Sequence, residues 1–244
     1  VSTETGNGHR FIREHNRPAA YSNIDNNGFA KFLELSMPYS RHLLALILCV
    51  TLLLTCNANA TEKPIQIVAF GTSFTNGKGV YRSNAWPAKL EKQLNEEGLN
   101  VQLSNEGKNG DTTVDLKSRM NQAIPEGTSV VLLEYAIGND KEAGIHFSET
   151  AQHVDEMVTE LAARNLQVLL IIRAGDNPKI IEVSKFRFKR LVKQFGILTI
   201  FIEQPPESLL SDGRHPTEQA HTEIADSLVA PVKELIDRSK ATAK

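Results

Sequence analysis

The stretch Ile65–Val80, IQIVAFGTSFTNGKGV, decides how the rest of this chain is read. Its first half, Ile67-Val68-Ala69-Phe70, is a run of apolar and β-branched residues, the pattern of a strand buried on both faces. The run breaks at Gly71-Thr72-Ser73-Phe74-Thr75 and enters a turn with glycines at 77 and 79. A hydroxyl at the C-terminal end of a buried strand stands where open α/β sheets bind their ligands. Serine is also an ordinary turn former, so Ser73 takes its meaning from what the remaining chain places beside it.

The pattern downstream alternates. Trp86, Leu90 and Leu94 recur at i, i+4 and i+8, a helical stripe that Asn84 or Ser83 should cap, with Pro87 in the first turn and Gly98 at the end. Val101–Leu103 reads as a short strand running into a loop over residues 105–111. Asp111 or Thr112 should cap a helix carrying Leu116, Met120 and Ile124, stopped by Pro125-Glu126-Gly127. Strands are expected at 129–134, 167–172 and 197–202, with helices near 148–164 and 179–195. A loop is expected over Tyr135–Asp140, and a last helix, capped by Thr217, presents Ile224, Leu228, Val232 and Leu235. Strands separated by helical patterns imply βαβ units and a parallel sheet covered on both faces. The polar loops after each strand then gather along one rim.

The 244 residues carry a formal net charge of -2, which gives no electrostatic footprint for a nucleic acid. Their apolar content is unevenly spread. Residues 1–36 are polar and aperiodic, the composition of a disordered or upstream extension. From Met37 the chain reads as a signal peptide: a basic segment with Arg41 and His42, an apolar core from Leu43 to Leu54, and small residues at Ala58-Asn59-Ala60. The apolar core is shorter than the roughly 20 residues that span a bilayer. Lipidation at Cys56 is the alternative, with Thr55 a poor fit before it. Cleavage after Ala60 would leave residues 61–244 as one exported, periplasmic domain without stable membrane insertion. It would also remove both cysteines, Cys49 and Cys56, leaving no disulfide and no thiol nucleophile.

Four segments of that domain fall on the same rim: Ser73, Gly110, Asn139 and the pair Asp212/His215. Their types are those that acyl transfer from a hydroxyl requires. Serine needs a base, histidine is the base that works near neutrality, and a carboxylate three residues away can fix its tautomer. Backbone N–H groups at Ser73 and Gly110, with the Asn139 amide, can meet an oxyanion. Asp140 reads as structural, bonding backbone in its own turn. His146, His153 and His221 read as solvated. The basic set Lys185, Arg187, Lys189, Arg190 and Lys193 reads as a helix face in water or the border of an anionic substrate site. His215 and His221 lack a third partner for a metal. Gly77-Lys78-Gly79 lacks the glycine and hydroxyl positions of a phosphate loop.

Gly71-Thr72-Ser73-Phe74, the Gly110 loop, Gly138-Asn139-Asp140 and Asp212-x-x-His215-Pro216 resemble, in order and spacing, the four blocks of the SGNH or GDSL-type hydrolase family. Ala85-Trp86-Pro87 and Asn109-Gly110-Asp111-Thr112 bring the likeness closest to its small periplasmic thioesterase, lysophospholipase and arylesterase branch. The resemblance covers residues 64–236. It implies a flavodoxin-like three-layer α/β/α sandwich with a five-stranded parallel sheet. It also implies cofactor-free hydrolysis of small carboxylic esters or thioesters by Ser73, His215 and Asp212, with Ser73, Gly110 and Asn139 around the oxyanion. Thr72 replaces the aspartate that usually precedes the nucleophile, and Ile137 the first glycine of the third block. Those departures leave room for an O-acetyl-carbohydrate esterase or a catalytically weak binding module.

Overall fold

In a computed structural model, residues 63–173 and 178–242 are described, so the signal-peptide reading, Cys56 and the expected Thr61 terminus lie outside the described residues. Five parallel strands form one sheet in the order β2-β1-β3-β4-β5. They are β1 (Ile65–Gly71), β2 (Val101–Gly107), β3 (Thr128–Glu134), β4 (Gln167–Arg173) and β5 (Leu198–Ile202). This is the doubly wound order of flavodoxin-like folds, whose switch point lies between β1 and β3.

Alternation along each strand builds two cores. Val68, Phe70, Val131, Leu133, Leu170 and Ile172 face one side. There they meet α3 (Thr113–Ala123), α5 (Phe147–Ala163) and α6 (Pro178–Phe195). Ile67, Ala69, Val130, Leu132, Leu169 and Ile171 face the other, against α2 (Trp86–Glu96) and α7 (Glu218–Thr242). Two short helices complete the rim, α1 (Ser73–Asn76) and α4 (Ile137–Glu142). Each large apolar side chain so buried contributes roughly 1.5–3 kcal/mol, and the Trp86, Leu90 and Leu94 stripe read from the sequence is fully buried.

Three local expectations are corrected. β2 runs on to Gly107, because Asn105–Gly107 pair with Ala69–Gly71 of β1 despite their turn-forming composition. Gly107 is needed there: a Cβ would lie 2.2 Å from the Asn76 nitrogen of α1. Residues 137–142 are helical rather than looped. Neither Ser83 nor Asn84 caps α2, since both belong to a separate 3₁₀ turn, Arg82–Asn84, and Ala85 stands at the cap position. By contrast, Thr112 caps α3 in a reciprocal capping box with Asp115. The Thr217 hydroxyl accepts the Ala220 N–H at the start of α7.

Candidate active site

Ser73 follows β1 as the first residue of α1, the single helical turn closed by Gly77 at φ 83°. Intrahelical bonding leaves a first-turn N–H such as that of Ser73 without a partner. The serine Oγ lies 2.9 Å from Nε2 of His215, a residue only 3% exposed. Nδ1 of the same ring lies 2.6 Å from Asp212 Oδ2. A carboxylate can only accept, so Nδ1 carries the proton and Nε2 keeps the lone pair that faces Ser73. The other carboxylate oxygen, Oδ1, accepts the N–H groups of His215 (3.0 Å) and Arg214 (2.9 Å). These bonds, the His215 N–H first and its ring second, hold Asp212 far below the usual carboxylate range. Asp212 therefore stays ionised well into acid.

Ser73, Gly110, Asn139 and His215 line one cavity of about 310 Å³, with Asp212 behind the imidazole. All five residues picked from the sequence are thus brought together. Gly110 has φ 85°, which only glycine adopts without strain. The Asn139 amide donates through Nδ2 to the Asp111 carbonyl at 2.7 Å, which uses one of its two protons.

The groups that hold this arrangement were not evident beforehand. Glu134 ends β3 fully buried and accepts the Thr72 N–H and Oγ1 (both 2.7 Å), Thr75 Oγ1 (2.7 Å) and the Thr75 N–H (3.3 Å). It clamps the turn on both sides of Ser73. Burying a carboxylate is tolerable only with such a set of donors. Thr72, the departure from the family pattern, is thereby a ligand of Glu134. Gly71 makes room, since a Cβ there would meet Glu134 Oε2 at 2.4 Å. One signal was available: Glu134 is the sole charge in β3, directly after the apolar run Val130-Val131-Leu132-Leu133. Arg173, at the end of β4, stacks over Phe74 and donates to Gln204 Oε1 (2.7 Å) and the Arg214 carbonyl (2.9 Å), tying the His215 loop to the sheet.

Five minor assignments can be compared with the structure. Asp140 is buried as expected of a structural residue, but it bonds Thr113 N and Oγ1 of α3 (2.7 and 2.5 Å) rather than its own turn. His146 is exposed and caps α5, while His153 is half-buried with its ring 2.7 Å from Thr113 Oγ1. The basic set on α6 does not line the Ser73 cavity; Arg187 and Arg190 pair with Asp155 and Lys185 with Glu182. His221 is not solvated: it is completely buried, and its Nδ1 accepts the Trp86 N–H at 3.2 Å. It caps α2 from another helix, a tertiary contact that no local pattern announces.

Burial above all, with the nearby charges of Lys89 and Arg173, pulls the His221 pKa from 6.5 down to about 4. Between those values the unfolded chain binds the extra proton, so stability is complete above pH 6.5 and declines as pH falls towards 4. The effect is on the order of 3 kcal/mol. His221→Gln keeps an acceptor but cannot titrate. Its melting temperature should therefore fall less than that of the wild type between pH 7 and pH 4.5; equal slopes would exclude His221 as the source.

Comparison with known proteins shows the family. The sequence model of the GDSL-like lipase/acylhydrolase family matches residues 69–235. The thioesterase 1/protease 1/lysophospholipase L1 of Escherichia coli (strain K12) is 26% identical over 193 residues, covering 76% of this chain and 90% of that protein. An arylesterase of Vibrio mimicus is 24% identical over 179 residues, covering 70% and 90%. The crystal structure of AlinE4, an SGNH-hydrolase family esterase, superposes with a TM-score of 0.55 at 26% identity, over 72% of this chain and 98% of that one.

Proposed function

This chain belongs to the GDSL-like lipase/acylhydrolase family, and from that premise we propose that it hydrolyses esters with Ser73 as nucleophile, His215 as base and Asp212 as the residue orienting the base. The contact of 2.9 Å from Ser73 Oγ to His215 Nε2, continued at 2.6 Å to Asp212, carries the assignment. Ser73 Oγ attacks the acyl carbonyl carbon while its proton passes to Nε2. The oxyanion so formed is met by the N–H groups of Ser73 and Gly110 and by the Asn139 amide. Collapse expels the alcohol or thiol, which takes the proton from His215. Water, deprotonated by the same imidazole, then releases the acid and restores the serine.

Aryl and acyl esters and thioesters are the proposed substrate class, in line with the relatives named thioesterase, lysophospholipase and arylesterase. A second cavity of about 510 Å³ shares Asn139, Glu142 and Arg214 with the first and has Tyr135, Ala136 and Ile137 in its wall. It offers an apolar surface to an acyl or aryl group bound beside Ser73. The test is a fluorophosphonate, which phosphonylates an activated serine. A single adduct on Ser73 is expected. An unlabelled protein, or an adduct elsewhere, would overturn the assignment.

The proposal includes export. Arg41 and His42, the apolar Leu43–Leu54 segment and Ala58-Asn59-Ala60 follow one another as a signal peptidase requires. Intact mass of the protein recovered from a bacterial periplasm should give Thr61 as first residue. Retention of residues 1–36, or a lipid on Cys56, contradicts it.

A further inference from the structure

We propose that Arg214 is a positioning residue for the oxyanion hole, its guanidinium fixing and polarising the Asn139 amide. The inference rests on the reading of Asn139 as an oxyanion donor. Arg214 lies between the acid and the base of the triad, yet its side chain reaches neither. Nη2 donates to Asn139 Oδ1 at 2.5 Å, and Nη1 donates to Glu142 on the same short helix. Its main chain is held separately: the N–H donates to Asp212 Oδ1 at 2.9 Å, and the carbonyl accepts from Arg173 at 2.9 Å.

The polarity of the two partners of Asn139 determines what the amide can do. A guanidinium only donates and a backbone carbonyl only accepts. With Arg214 on Oδ1 and the Asp111 carbonyl on Nδ2, the amide plane is pinned at both ends in one orientation. The second Nδ2 proton is left for the cavity that Asn139 shares with Ser73 and His215. A cation on Oδ1 also draws electron density from the amide, and hydrogen bonds in such chains strengthen one another. The remaining N–H becomes a better donor at the moment negative charge appears on the substrate oxygen. The guanidinium is itself fixed by Glu142, so the amide does not have to order it during the reaction.

This role acts through Asn139 and has a signature that a structural role lacks. With p-nitrophenyl butyrate as substrate, Arg214→Met should lower kcat about tenfold, part of the about 10²–10³-fold attributed to one oxyanion donor, and leave KM within about twofold. The decisive measurement is the double-mutant cycle with Asn139→Ala. Once the amide is gone, Arg214→Met should change kcat by less than about twofold. A repeated tenfold loss in the Asn139→Ala background, or an unchanged kcat in the single variant, overturns the proposal while leaving the triad intact. An unchanged kcat in Asn139→Ala alone overturns the oxyanion-hole reading and this proposal with it. Should Arg214→Met fold poorly by melting temperature, Arg214→Lys serves in the same cycle. It keeps the charge but loses the planar fork that meets Oδ1 and Glu142 together, so a smaller kcat loss, again abolished by Asn139→Ala, supports the assignment.

Discussion

Ser73→Ala is expected to lower kcat by about 10⁶-fold, since removing the nucleophile of a triad disables the whole unit. What remains is the about 10³–10⁴-fold advantage over water that oxyanion donors and binding provide without a nucleophile. Stability should hardly change. Among the described residues Ser73 Oγ bonds His215 alone, a bond worth about 1 kcal/mol net, and the Ser73 main chain is kept in place by Gly77 and Lys78, whose N–H groups donate to its carbonyl. Circular dichroism and melting temperature should match the wild type while turnover and fluorophosphonate labelling disappear together. Residual kcat above about a thousandth of the wild type, far more than a triad enzyme retains without its serine, would assign the chemistry to another group.

The readable part of the site was the part whose residue types are dictated by chemistry. Ser73, Gly110, Asn139, Asp212 and His215 had to be what they are for acyl transfer, and the βα alternation placed them on one rim. What escaped is settled between elements distant in sequence. Glu134 looks like a strand-ending charge until β1 and β3 pair and bring Thr72 and Thr75 to its oxygens. His221 looks like a polar residue on an amphipathic helix until α7 packs on α2 and its ring replaces the Asn84 cap. Asn105–Gly107 have turn composition, but Val101–Ser104, already in register with β1, carry the ladder through them. Tyr135–Asp140 has loop composition, and Asp140 becomes a helical residue because Thr113, 27 positions away, donates twice to its carboxylate. Local propensity is a weak prior against contacts of this kind.

Asn139→Ala is expected to lower kcat by about 10²–10³-fold, or roughly 3–4 kcal/mol in the barrier. The kinetic effect is set by when the hydrogen bond forms. In the ground state the substrate carbonyl is neutral and the free Nδ2 proton gains little from it. In the tetrahedral intermediate the oxygen carries full charge, and a donor already fixed in place needs no reorganisation to meet it. An interaction made only there lowers kcat when lost and leaves KM nearly unchanged. Asn109 is the control, because its Oδ1 accepts from Asn76 Nδ2 at 2.9 Å on the exposed side of the neighbouring loop; Asn109→Ala should leave kcat within about threefold, as expected of a surface substitution. Asn105 discriminates differently. Its side chain donates to the Thr75 carbonyl at 2.9 Å and accepts the Gly107 N–H at 3.0 Å, bracing the turn that carries Ser73. Asn105→Ala should therefore lower the melting temperature by leaving a partly buried donor and acceptor unpaired, each costing about 1–3 kcal/mol, with activity falling only as the turn loosens. Asn139→Ala forfeits just its bonds to Asp111 and Arg214 at a half-exposed position, so its melting temperature should fall less than that of Asn105→Ala. A selective loss of kcat at Asn139, separated in this way from a stability loss at Asn105, locates the oxyanion. If Asn139→Ala raises KM alone, or if Asn109→Ala damages kcat equally, the charge develops elsewhere in the cavity.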